Sequence, residues 1–196
     1  THSRTFIEGM DFDLIYFPLK HLGYKCVTAV TGELYAVFAQ PKVMEIRIGI
    51  SAKLDFAQIK EVWEGVVAAA KEHGYQKVGL DLVPSPNGLC ISVSSTGETS
   101  QLTAKRRPAA KTMDLICISD NLGAAFMGFQ VLERERRKFE KSGDAKAQPN
   151  LDEYKNLVGA YLKPQINPQI LKLMEEAEIL PSHGYLVTRG LADAVK

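Results

Sequence analysis

An acidic side chain interrupts the apolar segment "VGLDLVPSPNG" at residues 78–88. Asp81 stands there between Leu80 and Leu82, and a turn rich in proline and glycine follows. Carboxylate oxygens are ligands that magnesium prefers, so Asp81 is a candidate metal ligand. Aspartate also caps turns by accepting hydrogen bonds from the backbone, and the neighbouring residues leave both roles open.

Histidine and cysteine, the other common metal ligands and nucleophiles, show no functional spacing. The histidines are His2, His21, His73 and His183, and the cysteines are Cys26, Cys90 and Cys117. The histidines lack the spacing of zinc ligands. The cysteines have no CxxC motif, so we expect all three to be structural, with Cys90 and Cys117 buried in strand-like segments. Their odd number favours a reducing, cytoplasmic location.

The hydrophobic pattern predicts an α+β unit with the order β-α-β-α-β-β. Its predicted elements are a strand at 5–12, a helix at 18–38, a strand at 42–51, a helix at 56–74 and strands at 77–83 and 89–95. We expect Asp55 to cap the second helix and Gly74 to end it. The connection "PSPNG" at 84–88 has the composition of a hairpin turn and predicts that the last two strands pair.

A second set of elements follows a polar crossing, and the boundary is predicted near residue 108. The predicted elements are a strand at 114–119, a helix at 121–141, a polar linker at 142–150 and helices at 151–162 and 168–177. The charged run "ERERRKFEK" is expected to be an exposed helix face with i,i+4 ion pairs. The sequence therefore predicts one domain at 1–108 and the start of an α/β domain at 109–196.

The charge balance gives no indication of a nucleic-acid or membrane partner. The 196 residues include 24 basic and 23 acidic side chains, for a net charge of +1. No apolar run approaches the roughly 18 residues that a membrane span needs. We therefore expect neither kind of partner.

Several segments in order resemble thiamine-monophosphate kinase, in the superfamily that includes aminoimidazole ribonucleotide (AIR) synthetase. The matching segments are "IEGMDFD" (7–13), "HLGYK" (21–25), "VGLDLVPSPNGLCISV" (78–93), "KRRPAAKTMDLICIS" (105–119), "NLGAAFMGFQVLERE" (121–135) and "YLKPQ" (161–165), with Pro41 after the first helix. The similarity covers nearly the whole chain at the spacing of the family.

The resemblance implies a fold, a partner and a reaction. The fold is an N-terminal AIR-synthetase-like domain, which forms a homodimer whose paired sheets close into a barrel. ATP and magnesium would bind in a cleft between this domain and the C-terminal α/β domain, with a small phosphorylated metabolite as acceptor of the phosphoryl group. The resemblance also implies an acidic strand before Thr1 and further sequence after Lys196.

The family's acidic motifs are changed in this chain. The aspartate of Thr-Thr-Asp is replaced by Arg4, and the histidine of "EGvHF" by Asp11. The motif "N-x-S-D" is Val30-Thr31-Gly32-Glu33, "GGDTT" is Gly79-Leu80-Asp81-Leu82-Val83, and "D-x-S-D-G" is Leu186-Val187-Thr188-Arg189-Gly190. The arginine that follows "LKP" is replaced by Asn167. Cations and apolar groups thus stand where magnesium ligands belong, which disfavours a multi-metal site.

Four residues keep a counterpart in the family's site. The resemblance makes Asp81 and Glu33 candidate metal ligands, and it makes Gly79 and Arg107 candidate nucleotide-binding residues. Glu33 could instead be a solvated helix residue. Arg107 has the planar fork that suits phosphate, and it could equally be a surface residue in "KRRP".

Three functions remain open at this point. The first hypothesis is a degenerate member of the family that keeps its fold and weak nucleotide or phosphate binding. The second is an active kinase that uses ATP and magnesium to phosphorylate a small phosphorylated metabolite such as thiamine monophosphate. The third is a structural dimerisation module.

Overall fold

A mixed sheet forms the centre of the protein, and two long helices cover one of its faces. The computed structural model describes residues 1–99, 111–142, 149–179 and 181–195. The strands are β1 (His2–Ile7), β2 (Gln40–Ile50), β3 (Lys77–Pro84) and β4 (Cys90–Glu98). The helices are α1 (Leu19–Ala36), α2 (Phe56–Glu72), α3 (Ala124–Ser142), α4 (Lys155–Leu162), α5 (Ile170–Glu176) and α6 (Leu191–Ala194), and a 3-10 turn at Asp152–Tyr154 precedes α4. The predicted α+β class is confirmed.

The strand order in the sheet is β1-β4-β2-β3. Strand β4 lies between β1 and β2 and is antiparallel to both, whereas β2 and β3 are parallel. Helix α2 therefore forms a crossover between neighbouring parallel strands, which requires a long connection of this kind.

Local sequence signals place α2 and β2 where they were predicted. The Asp55 side chain accepts a hydrogen bond from the Gln58 backbone N–H, and the Gln58 side chain accepts one from the Asp55 N–H. This capping box satisfies two backbone donors that the helix leaves without partners. In β2 the side chains of Met44, Ile46 and Ile48 are buried and alternate with exposed ones, as a strand with one covered face requires.

Two glycines allow α1 and α2 to cross at very short distance. A Cβ atom on Gly23 would clash with the carbonyl oxygen of Val62, and one on Gly65 would clash with that of Lys20. Each helix therefore places a glycine against the backbone of the other. The apolar side chains around this crossing, such as Val27 in α1, complete the core between helices and sheet.

The predicted hairpin at 84–88 is wrong. Strands β3 and β4 lie on opposite sides of β2 and do not pair with each other. The connection between them instead crosses the end of β2, where the Ser85 N–H donates to the Ile50 carbonyl over 2.9 Å. The Glu8 carboxylate accepts a hydrogen bond from the Leu89 N–H at 2.6 Å and holds the end of this connection. The backbone pairing of β4 with β2 and the burial of its side chains in the core thus outweigh the local turn preference.

The predicted strand at 114–119 is also absent. In the described part of the chain this segment pairs with no strand, and Leu115 is 91% exposed. An apolar run becomes a strand only where a neighbour accepts its backbone hydrogen bonds. Cys117 is exposed there, contrary to the expectation for it, whereas Cys26 is fully buried and Cys90 is half-buried.

Helices α3 and α4 pack on each other and on the connection from β1 to α1. A Cβ atom on Gly128 of α3 would clash with the Leu157 carbonyl oxygen of α4, so these helices also cross at a glycine. The Tyr16 hydroxyl donates a hydrogen bond to Glu133 Oε1 over 3.0 Å. The predicted ion pairs of α3 are present, as between Arg136 and Glu140 at 2.7 Å.

The predicted domain boundary at residue 108 falls within 100–110, which lies outside the described residues. The division into 1–108 and 109–196 therefore stays a prediction. A search of the described residues finds no helix that is both long enough and apolar enough to cross a membrane.

His73 makes the stability of the protein sensitive to pH. This residue is 4% exposed, its Nδ1 lies 3.2 Å from the Tyr35 hydroxyl, and its Nε2 is buried without a hydrogen-bond partner. Burial lowers the pKa of His73 below its ordinary value of 6.5, against a smaller opposite effect of Glu72. The folded state therefore favours the neutral imidazole.

We expect the free energy of unfolding to fall as the pH drops below about 6.5, because the unfolded chain then binds a proton that folded His73 resists. Chemical denaturation between pH 8 and pH 5 measures this dependence. The variant His73→Gln cannot titrate, and its amide can still bond to Tyr35, so its stability should depend less on pH. Equal slopes in the two proteins would contradict the assignment.

Candidate nucleotide and metal site

The candidate ligand Asp81 is already paired with an arginine. The parallel register of β2 and β3 places Arg47 beside Asp81, and Arg47 Nε lies 2.7 Å from Asp81 Oδ2. The two side chains are 66% and 52% exposed. A pair this exposed is worth about 0–1 kcal/mol, so it does not hold the strands together. It does neutralise the carboxylate that a cation would need.

The Arg47–Asp81 pair lies on the open face of the sheet, opposite the helices. The open face carries a groove of about 380 Å³. Its lining includes Ser3, Thr5, Glu45, Arg47, Asp81, Ser92 and Ser94. Hydroxyl pairs connect β1 to β4 across it, with Ser3 to Ser94 at 2.8 Å and Thr5 to Ser92 at 2.9 Å. The groove offers hydrogen-bonding groups and both signs of charge.

Gly79 lies two residues before Asp81 on the same face of β3. A Cβ atom at this position would meet the Glu45 side chain at 3.6 Å, which is ordinary van der Waals contact. The fold therefore does not require glycine here. Because glycine has no side chain, the backbone of β3 is open to a group in the groove. Gly79 therefore remains a candidate nucleotide-binding residue.

Glu33 lies on the other side of the sheet from Asp81. It belongs to the last turns of α1, on the covered face, and its side chain is half-buried. Asp81 contacts Arg47, whose neighbours Ile46 and Ile48 point the opposite way into the core. The structure thus does not bring the two predicted ligands together.

The described residues also contain no group of three or more histidine, cysteine, aspartate or glutamate side chains that could hold a metal ion. Several magnesium ions held against a nucleotide need more oxygen ligands than one carboxylate beside an arginine supplies. These residues therefore do not fit the metal centre that the family implies. Arg107, the predicted phosphate ligand, lies outside the described residues.

Two of the changed motif residues contact each other. Arg4, which the resemblance aligns with a metal-binding aspartate, lies 3.5 Å from the carboxylate of Asp11, which the resemblance aligns with a histidine. Asp11 also accepts a hydrogen bond from the Ile7 N–H at 2.9 Å, and the Arg4 guanidinium lies 5.0 Å from the Phe6 ring centre. The Asp11 carboxylate therefore balances the charge of the Arg4 guanidinium, which thus has a counterion within the protein.

Lys25, which the sequence analysis did not identify, lies near the Arg4–Asp11 pair. Lys25 Nζ is 3.4 Å from the ring centre of Tyr161 and 4.9 Å from that of Phe17. Burial lowers the pKa of Lys25 to about 8. Attraction between the ammonium and the aromatic faces offsets part of the cost of burial. Lys25 is the only charged residue between Tyr24 and Thr31 of the buried helix α1. A single charge in a mostly apolar segment is the sequence signal that could have identified this residue.

The remaining departures from the family have ordinary structural roles. Arg189 Nε lies 3.1 Å from Asp193 in the next turn, and the Asn167 side chain accepts a hydrogen bond from the Gln169 N–H at 2.9 Å. A Cβ atom on Gly32 would meet the methyl groups of Ile166 and Leu186 at 2.8 and 2.9 Å. Apolar side chains therefore cover α1 next to Glu33.

If Asp81 only forms a surface ion pair, then Asp81→Asn should change the free energy of unfolding by less than about 1 kcal/mol. Arg47→Ala should have an equally small effect, and the double variant should show little coupling. Urea denaturation gives these values. An increase in melting temperature on addition of Mg²⁺ that occurs in the wild type and not in Asp81→Asn would contradict this expectation and identify a metal ligand.

A family model covers the region that contains these residues. Residues 2–99, half of the chain, match the model described as "AIR synthase related protein, N-terminal domain". The match includes β1 to β4 and both helices of the covered face. Glu33, Gly79 and Asp81 all lie within it.

Curated proteins similar to this chain include thiamine-monophosphate kinases from two bacteria. A thiamine-monophosphate kinase of Bacillus subtilis is 26% identical over 131 residues, which are 67% of this chain and 40% of that protein. One of Rhodopirellula baltica is 25% identical over 122 residues, which are 62% of this chain and 38% of that protein. The chain thus spans about two fifths of the length of the curated relatives it matches.

Solved structures show the same fold. The thiamine monophosphate kinase of Aquifex aeolicus superposes with a TM-score of 0.71 at 21% identity, over 89% of this chain and 54% of that chain. The structure described as "AaThiL complexed with AMPPCP and TMP" gives a TM-score of 0.70 at 21% identity, over 89% of this chain and 52% of that chain. At this level of identity the similarity establishes the fold of the chain.

Proposed function

Because this chain belongs to the family of AIR synthase-related proteins, we propose that it is a catalytically degenerate member related to thiamine-monophosphate kinase. It keeps the N-terminal fold of the family and binds a nucleotide or phosphate weakly, without transferring a phosphoryl group. Phosphoryl transfer depends on positioning and on cations that neutralise the phosphates, and this chain has lost most of the side chains that would hold such cations.

The observation that carries this proposal is the pairing of Asp81 with Arg47 at 2.7 Å, together with the Arg4–Asp11 pair. At the first position a carboxylate remains and an arginine neutralises it. At the second the carboxylate has become the cation. Both changes reduce the attraction for magnesium, since like charges repel and a neutralised ligand binds weakly.

A phosphoryl-transfer assay tests this proposal. The protein is incubated with ATP, Mg²⁺ and thiamine monophosphate, and formation of ADP is measured. We expect no turnover above the level of Asp81→Asn. Turnover by the wild type that is lost in Asp81→Asn would refute degeneracy.

The alternative is an active kinase that requires ATP and magnesium. Its support comes from the relatives, which are thiamine-monophosphate kinases, and from one solved structure that holds AMPPCP and TMP. In that case residues outside the described part, including Arg107, would contribute to the nucleotide site. Calorimetric titration with ATP separates the two functions, because only the kinase predicts binding that strengthens strongly with Mg²⁺.

We also propose a homodimer that forms through the open face of the sheet. This face presents Glu45, Arg47 and Asp81, so a two-fold partner can match positive with negative groups. Sedimentation velocity should show a dimer in the wild type and a shift toward monomer in Arg47→Glu, which leaves the face acidic. Lys172→Glu, on the exposed surface of α5, is the control. A wild-type monomer at all concentrations would contradict the dimer.

The location that we propose is the cytoplasm. Cys26, Cys90 and Cys117 are all free thiols. Free thiols of this kind are typical of a reducing compartment.

A further inference from the structure

A pocket of about 330 Å³ lies between the first turn of α1 and the helix α4. Its walls are mostly apolar, from Leu151, Val158 and Leu162. The volume falls at the small end of the range of pockets that bind small molecules. An apolar pocket of this size fits a ring or a short aliphatic group.

The polar groups of this pocket are concentrated on one histidine and two lysines. His21 of α1 lines the pocket together with Lys155 and Lys163, which lie at the two ends of α4. Asp152 is the acidic residue of the lining. The positive groups exceed the negative one, so the pocket favours an anion.

His21 has an unused hydrogen-bonding atom. Its Nδ1 is buried and has no partner. Burial, together with the nearby Lys163 and Lys20, lowers the pKa of this histidine, so the ring is neutral at pH 7. A buried polar atom without a partner is unfavourable and rare, and the neutral ring adds no charge to the wall of the pocket that it lines.

Neither Lys155 nor Lys163 has an ion-pair partner among the residues that the structure describes. Lys20, in contrast, pairs with Glu64 at 3.4 Å. Lys163 Nζ lies instead 4.8 Å from the ring centre of Tyr24. That contact holds its charge beside the pocket in a defined place.

Gly159 leaves the pocket open. It lies inside the short helix α4, where glycine weakens a helix relative to alanine. A Cβ atom there would meet nothing within 4 Å, so close packing does not require glycine at this position. The missing side chain has one visible consequence, which is free space in the wall of the pocket.

From these observations we propose that the pocket binds a small organic anion, with a phosphate or carboxylate headgroup near Lys163 and an apolar body against Val158 and Leu162. The site is separate from the candidate nucleotide site. His21 and Glu33 are 12 residues apart on α1, about 18 Å along the helix axis, and Asp81 lies across the sheet. The binding is therefore independent of phosphoryl transfer and suits a regulatory ligand.

Phenyl phosphate is a suitable probe, because it combines a dianionic headgroup with a small apolar ring. Imidazole resonances of the four histidines are followed by ¹H–¹⁵N NMR during titration, and His21→Gln assigns the signal of His21. We expect a saturable shift of His21 and an unchanged signal of buried His73. Inorganic phosphate keeps only the charged headgroup of the probe, and phenol keeps only its apolar ring. Each should bind at least about tenfold more weakly than phenyl phosphate.

Two variants test the two halves of the pocket. Lys163→Gln removes a charge-assisted hydrogen bond and should weaken binding about tenfold or more. Gly159→Leu fills the pocket without a clash at Cβ and should abolish binding while the His73 signal shows an intact fold. Lys172→Gln, on α5 outside the pocket, should bind like the wild type.

Each other outcome would overturn the proposal. Absence of a saturable shift at His21 means that the pocket binds no such anion. Equal affinity in Gly159→Leu means that the probe binds elsewhere. Equal affinity for inorganic phosphate means that the apolar walls contribute nothing, and equal affinity in Lys163→Gln means that the charge does not select the ligand.

Discussion

Replacing Gly23 with alanine should lower the free energy of unfolding by about 3 kcal/mol or more. A Cβ atom at this position would clash with the Val62 carbonyl oxygen and lie 2.9 Å from its carbonyl carbon. Both atoms belong to the backbone of α2, so no side chain can rotate away. The helices would have to separate, and separation would open the core between them and the sheet. Urea denaturation followed by circular dichroism measures the loss.

The control for this experiment is Gly159→Ala, in which the added Cβ meets nothing within 4 Å. Alanine favours a helix over glycine, so this variant should be as stable as the wild type or more stable by about 0.5–1 kcal/mol. Gly65→Ala should repeat the effect of Gly23→Ala, since its Cβ would clash with the Lys20 carbonyl from the other side of the same crossing. A loss below about 1 kcal/mol in Gly23→Ala would show that the helices do not cross this closely.

Gly128→Ala should detach α3 from α4 and leave the sheet folded. The added Cβ would clash with the Leu157 carbonyl oxygen and lie 3.0 Å from the Val158 backbone nitrogen. We expect a destabilisation of about 2–3 kcal/mol that is confined to this helix pair. Hydrogen exchange should show lost protection in 124–142 and 155–162.

The strand β2 provides the internal comparison in the Gly128→Ala experiment. Its residues Met44, Ile46 and Ile48 belong to the same buried cluster as Val131 and Val158 of the α3–α4 pair, but β2 itself packs mainly against β3, β4 and α1. Their amides should keep their protection. Uniform loss of protection across 40–50 and 124–142 would mean that the two parts unfold as one unit, contrary to the boundary predicted at residue 108.

Local sequence rules predicted the elements that local interactions determine. The alternation in 42–51 reflects one buried and one exposed face, and Asp55 with Gln58 caps a helix over three residues. The prediction failed at 84–88 and at 114–119, where pairing with distant strands decides the outcome. Turn composition and apolarity carry no information about such partners.

The candidate site shows the same division. The position of Asp81 follows from the motif around it, but its partner Arg47 is 34 residues away and is reached through the parallel register of β2 and β3. The sequence did not predict this contact, because the predicted hairpin paired β3 with β4 and not with β2. The contact between Arg4 and Asp11 could have been predicted from the sequence, because two residues of opposite charge lie only seven positions apart.

In the proposed function, the pairs Arg47–Asp81 and Arg4–Asp11 account for a site that keeps the scaffold of the family and lacks its metal centre. The hydroxyl groups of Ser3, Ser92 and Ser94 and the open backbone at Gly79 can bind a polar group only in the monomer, because the proposed dimer covers this face. A polyphosphate with its magnesium ions requires more concentrated negative charge than this face offers. Weak binding without catalysis is the expected result.

The most direct test counts the divalent cations that the protein holds with a nucleotide analogue. Free Mn²⁺ is measured by electron paramagnetic resonance in the presence of AMPPCP, with and without the protein. We expect the protein to bind no Mn²⁺ beyond what AMPPCP binds by itself, and Asp81→Asn to behave identically. Two or more additional ions per chain, lost in Asp81→Asn, would contradict the account and establish an intact metal centre.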